Sequence, residues 1–140
     1  MAELRFRTDD APEAAGVTLD AFLEQPGAIA VLLEPDEDAR ALIPHLARLT
    51  LVEVAFPTFR DGRGYSAARI LREAGYAGEL RAAGDVLADQ IPFMRRCGFD
   101  AFAPDAPLND ATVARLLAIH PDVYQSAADT EQPVWKRRHG

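Results

Sequence analysis

Leu51-Val52-Glu53-Val54-Ala55-Phe56, then Ser66 to Glu73, then Glu79-Leu80-Arg81-Ala82-Ala83 is the stretch that decides the fold. An apolar run of strand length, a helical segment ended by Gly75 and a second strand-like run make one strand–helix–strand unit. The alternation extends outward in both directions. Upstream, Ala28-Ile29-Ala30-Val31-Leu32-Leu33 lies between Pro26-Gly27 and Glu34-Pro35-Asp36, which fits a strand buried on both faces. Asp36 to Leu49 then places Ala39, Leu42, Ile43, Leu46 and Leu49 at helical spacing. Downstream, Leu87 to Cys97 reads as a helix stopped by Gly98. Ala101-Phe102-Ala103 reads as a short strand, and Asn109 caps a helix reaching Ile119.

Four repeats with short connections predict an α/β fold, a single domain over residues 1–125. It is a parallel sheet of four main strands in repeated βα units, half-barrel-like or flavodoxin-like. Leu4-Arg5-Phe6-Arg7 alternates as an extra N-terminal edge strand, and Thr18 caps a short helix to Glu24. Residues 126–140 read as a polar, loosely attached tail that holds the one basic cluster, Lys136-Arg137-Arg138-His139. One feature departs from an apolar parallel sheet: Glu53 lies mid-strand, and Glu79 and Arg81 share a face of the next strand. Either Glu53 and Arg81 pair across the strands, or that face is a wet, concave surface.

At 140 residues, 49% hydrophobic and 26% charged, the chain is an ordinary globular domain. A net charge of −7 argues against a nucleic-acid partner, which would select a basic face. No apolar run approaches the roughly 20 residues of a membrane span, and Met1-Ala2-Glu3-Leu4-Arg5 lacks a signal-peptide apolar region, so a cytoplasmic location is expected. Cys97 is the single cysteine, which excludes an intrachain disulfide and a Cys-x-x-Cys redox pair. It falls in the last turn of its helix, where burial explains it better than thiolate chemistry does. His45, His120 and His139 are too scattered for a ligand set, so no metal site is expected. Self-association is left open.

Two loops concentrate the chemistry. Asp61-Gly62-Arg63-Gly64-Tyr65-Ser66 joins the second main strand to its helix, and Gly84-Asp85 with Asp89-Gln90 follows the third. In parallel α/β domains such loops share one sheet edge, outside which ligands bind. Arg63 offers a planar donor fork, the glycines free backbone N–H groups, and Ser66 a hydroxyl at the helix start. A small oxyanion, such as sulfite, sulfate or phosphate, suits those groups. Asp85 would orient Arg63 or a ligand hydroxyl, with Gln90 beside it; Asp85 and Asp89 also have the spacing of a cation or acid–base pair. Gly62-Arg63-Gly64-Tyr65-Ser66-Ala67 satisfies G-x-G-x-x-A, with Asp85 at 23 residues beyond Gly62, so a nicotinamide or flavin site is an alternative. Against it, Pro57 to Asp61 intervene where that fingerprint turns tightly. The purely structural alternative has Gly62 and Gly64 at positive φ, Ser66 capping the helix, and Asp61 paired with an arginine.

The words Phe56-Pro57, Asp61-Gly62-Arg63-Gly64-Tyr65-Ser66, Leu71-Arg72 and Gly78-Glu79-Leu80-Arg81-Ala82 have a further reading. With Gly84-Asp85-Val86-Leu87, Asp89-Gln90 and Arg96-Cys97-Gly98-Phe99-Asp100, they resemble a bacterial domain-of-unknown-function family described as oxidoreductases of sulfite reduction. Its members are encoded beside sulfite reductase and phosphoadenylyl-sulfate reductase genes. The resemblance implies a cytoplasmic role in assimilatory sulfur metabolism and cysteine biosynthesis, as an oxidoreductase or an accessory to one. Either reductase is then a candidate partner. It also admits a non-catalytic scaffold that docks on such a reductase, and it brings no catalytic residues.

Overall fold

In a computed structural model, which describes residues 3–119 and 124–126, strand alternation sets the architecture. Along β4 (Leu51–Phe56), Val52, Val54 and Phe56 enter the hydrophobic core while Glu53 and Ala55 are half-buried on the other face. Its neighbours behave the same way: Val31 and Leu33 of β3 (Ala30–Leu33), Leu80 and Ala82 of β5 (Glu79–Gly84), and Phe102 of β6 (Ala101–Pro104) join that core. Residues two apart share a face, so one side of the sheet is apolar and the other mixed.

The sheet order is β2-β3-β4-β5-β6-β1-β7. From β2 (Val17–Thr18) to β6 every pairing is parallel and the strands follow in chain order. A flavodoxin-like arrangement needs an order reversal, and this run has none. The four main strands lie where the sequence places them. The N-terminal strand, β1 (Glu3–Arg5), is antiparallel to β6 but is not the edge, because β7 (Tyr124–Ser126) pairs outside it. The expected tail boundary therefore falls inside a strand, and residues 127–140 lie outside the described residues.

The helices supply the cover. Ala67, Ala68 and Leu71 of α2 (Arg63–Glu73), Ile91, Met94 and Cys97 of α3 (Ile91–Cys97) and Leu116 of α4 (Asp110–Ile119) enter the same core as Val52 and Leu80. The second face of β3 is covered only in part: Ala30 is buried and Leu32 half-buried, while Ile29, just before the strand, is exposed. Thr18 caps α1 (Leu19–Glu24), its Oγ1 accepting from Ala21 N at 3.2 Å. Asn109 caps α4, its Oδ1 accepting from Ala111 N at 2.8 Å. No described helix is long and apolar enough to cross a membrane.

The α-helix expected over Asp36–Leu49 is instead a 3₁₀ segment, Ala39–Arg48, capped by Asp38. Pro44 inside it lacks an N–H, and its ring opposes the carbonyl one α-turn back, so α-geometry is penalised there. With three residues per turn, Ala39 and Leu42 are buried while Ile43, on the α-helical stripe, is 41% exposed.

Candidate functional site

β4 and β5 end side by side, Phe56 opposite Gly84, so both candidate loops leave the same C-terminal edge. Gly84 makes the junction. Its φ is +112°, and a Cβ there would lie 2.5 Å from the Phe56 carbonyl oxygen, which already accepts Asp85 N at 2.7 Å. No L side chain fits both demands.

From that junction the polar groups turn toward one another. Asp85 Oδ2 accepts from Phe59 N at 2.8 Å, pinning the β4–α2 loop to the end of β5. Gln90 completes the tie: its Nε2 donates to Phe59 O at 3.0 Å and its Oε1 accepts from Leu87 N at 3.0 Å. Asp61 and Arg63 form a two-point pair, Nε to Oδ1 at 3.0 Å and Nη2 to Oδ2 at 2.7 Å. Asp61 Oδ1 also accepts from Arg63 N at 3.0 Å. The Arg63 hydrogen bonds hold the Asp61 carboxyl down at about 2. The Arg63 side chain is 62% exposed, whereas the Asp61 side chain is largely covered.

These contacts revise the local expectations. Helix α2 begins at Arg63, with Gly62 in the cap position, and Ser66 lies exposed inside the helix instead of capping it. The Asp61 carboxylate, one residue before the cap position, takes the N–H of Arg63, the first residue of the helix. Neither Gly62 nor Gly64 has positive φ; the described glycines that do are Gly75, Gly84 and Gly98. Gly64 is needed for space, because a Cβ there would collide with the Phe56 ring. Gly64 thus serves the close packing of α2 on the core ring of Phe56, a role that calls for no ligand. A Cβ on Gly62 would meet nothing within 4 Å. Asp61 already engages Nε, Nη2 and the backbone N–H of Arg63, so an oxyanion there would meet the charge of that carboxylate.

Asp89 is exposed one turn from Asp85, whose carboxylate faces the Phe59 amide. Cys97 is buried in the core beneath α3. Tyr65 lies with its ring 5.6 Å from Phe56 and 5.3 Å from Phe93, and partial burial pushes its phenol pKa up. Phe93 is 43% exposed, and Leu87, in the turn before α3, is 39% exposed. Arg96 lies 5.6 Å from the Phe93 ring and Arg60 lies 5.4 Å from the Phe59 ring. The sequence reading did not single out Phe93. Its signal was two apolar residues, Leu87 and Phe93, out of step with the buried Ile91 and Met94 of the same segment.

The sequence also missed a polar network toward the opposite edge. Asp100 receives Arg7 at 2.6 Å, Arg72 at 3.0 Å and Leu80 N at 2.8 Å. Glu79, 1% exposed, receives Arg5 Nε at 2.8 Å and Arg81 at 2.7 Å, and Arg81 reaches Glu53 at 3.5 Å. The expected Glu53–Arg81 pair therefore exists, as one link of a longer ladder. At this edge an open cavity of about 760 Å3 is lined by Asp9, Asp10, Glu13, Ile29, Thr50 and Glu79, among others. Asp9 is engaged chiefly by Arg7 and also by Arg5, which hold its carboxyl down at about 2.

Residues 30–135 match the family model described as bacterial protein of unknown function (DUF934). The chain belongs to that family. The match takes in both loops of the C-terminal edge, helices α2 to α4, and strands β3 to β7. No curated protein and no solved structure matches the chain.

Proposed function

We propose that the protein is a non-catalytic accessory of assimilatory sulfite reduction in the cytoplasm, docking on a reductase of that route through the edge where β4 and β5 end. The process comes from the sequence resemblance. The mode of action rests on one observation: Gln90 spends its side-chain amide on Leu87 N and Phe59 O, locking one loop against the other. With Asp85 on Phe59 N and Asp61 on Arg63, the groups that would recognise a small ligand recognise each other. A ligand site needs convergent polar groups facing a concavity. A docking edge needs a rigid surface with outward aromatic and arginine side chains, and this edge has that composition.

The test combines the purified protein with purified sulfite reductase from the same bacterium in sedimentation velocity. A complex at micromolar concentrations is expected, as is loss of growth on sulfate when the gene is deleted. Failure to associate, together with a bound cofactor or a saturable melting shift with sulfite or NADPH, defeats the reading in favour of a ligand-binding enzyme.

A further inference from the structure

We infer that the open half of the sheet face opposite the helices is a docking surface for the chain's own C-terminal segment, residues 127–138, which seats Trp135 on Ala55 and Ala83. The inference is independent of the docking reading. Strands β2 to β6 are parallel, and parallel sheets are covered on both faces. The buried apolar side chains of α1 to α4 and of the 3₁₀ segment all belong to the core on one face. On the other face, residues 6–16, between β1 and β2, reach the rows of Glu79 and Glu53. The Arg5 guanidinium, bonded to Glu79, also donates to the Asp9 carbonyl at 2.7 Å, and a Cβ on Gly16 would lie 2.9 Å from Glu53 Oε1. One row further on, Ala55, Ala83 and Ala103 stand in register and stay half-buried.

The described residues end level with that row. β7 is antiparallel to β1 and β1 to β6, so β7 runs with β4 and β5 and leaves toward their ends. Ser126 pairs with Glu3, one residue beyond the Leu4–Phe102 pair and so level with Ala103. The row continues through Ala83 to Ala55 and, since Leu33 pairs with Val54, meets Glu34 after β3. From β7 to β4 is four strand spacings, about 19 Å. Residues 127–135 can span about 30 Å. The family match runs to residue 135, so this segment is part of the family's domain. It closes on Pro133-Val134-Trp135, and a tryptophan ring fills the depth that alanine side chains leave open. Lys136-Arg137-Arg138 then meet the turn of Glu34, Asp36 and Glu37. Arg40 in that turn is paired with Asp38, and Arg63, which the Asp36 charge reaches, is held by Asp61, so the three acids remain in excess. Ring before bases in the segment matches alanines before acids on the face.

Fluorescence of the full-length protein tests this, because Trp135 is the only tryptophan. In the wild type we expect emission to the blue of the urea-unfolded chain, weaker acrylamide quenching, and nuclear Overhauser contacts from the indole to the Ala55 and Ala83 methyls. Ala83→Arg is expected to shift the emission to that of the unfolded chain while the far-UV circular dichroism stays native. Ala114→Arg, on the exposed side of α4, is expected to leave it unchanged. If Ala83→Arg does not fold, the wild-type Overhauser contacts decide. Unfolded-like emission in the wild type overturns the inference, as does a blue-shifted Trp135 whose contacts are to helix residues. A folded Ala83→Arg with wild-type emission overturns it too. A blue shift lost on dilution gives the face to the segment of a second copy and overturns the intrachain placement. None of these outcomes bears on the docking reading.

Discussion

Gln90 and Phe59, 31 residues apart, are joined by a 3.0 Å hydrogen bond from the Gln90 side chain to the Phe59 carbonyl. That one bond couples the loop after β4 to the turn that opens the α3 segment. With the bond from Phe59 N to Asp85, it ties the two loops together. Gln90→Ala therefore leaves the Leu87 N–H and the Phe59 carbonyl to water. We expect a loss of about 1 kcal/mol of stability and faster amide exchange at Phe59 and Leu87 than elsewhere, measured by hydrogen exchange. Uniform exchange across the domain would show the loops to be independently rigid.

The glycines of the first loop give a sharper contrast. Gly64→Ala drives a methyl into the Phe56 ring and should cost about 1–3 kcal/mol in urea unfolding. Gly62→Ala meets open space at φ −80° and should lie within about 0.5 kcal/mol of wild type. A dinucleotide turn would demand the opposite sensitivity at Gly62, in function and not in stability.

Arg81→Ala removes one of two cations from the buried Glu79 and the pair from Glu53. Arg5 still holds Glu79, so we expect a loss of about 2–4 kcal/mol, toward the lower end for a broken buried pair. A loss under about 0.5 kcal/mol by chemical denaturation would mean that the face is wet enough to screen the ladder.

The Asp61 carboxyl, lowered to about 2 by Arg63, gives a pH test. Its folded pKa lies below the ordinary value near 3.9, so its contribution to stability is complete above about pH 4 and is lost as pH falls through 2. Carboxyl-carbon NMR should follow Asp61 titrating near 2 in the wild type and higher in Arg63→Ala, still below its ordinary value because the backbone N–H of residue 63 remains. An unshifted wild-type Asp61 would show the pair to be transient in solution.

Much of the fold is legible because it depends on local pattern. Strands β3 to β6, the caps at Thr18 and Asn109, and the stop at Gly98 follow from neighbouring residues alone. The 3₁₀ segment was misread because apolar residues at spacings of three and four fit both periods, and only Pro44 distinguished them. The start of α2 was misread because Asp61 and Ser66 compete as caps, and no spacing rule says which oxygen reaches the amide first. Adjacency of the two candidate loops was legible from parallel topology. That Asp85 and Gln90 would bond to the Phe59 backbone was not, since it depends on where a loop main chain sits. The partners of Arg5 and Arg7, Glu79 and Asp100, lie 74 and 93 residues away, beyond any local signal.

The central claim is that this edge is closed to small ligands and offered to a protein. Its most direct test follows the backbone amides of Arg63, Tyr65, Asp85 and Gln90 by nitrogen-15 NMR during titration with sulfite, phosphate and NADPH in turn. The account predicts no saturable shift at these residues up to millimolar ligand. A shift saturating in the micromolar range for any of the three, centred on Arg63 and Asp85, would contradict it.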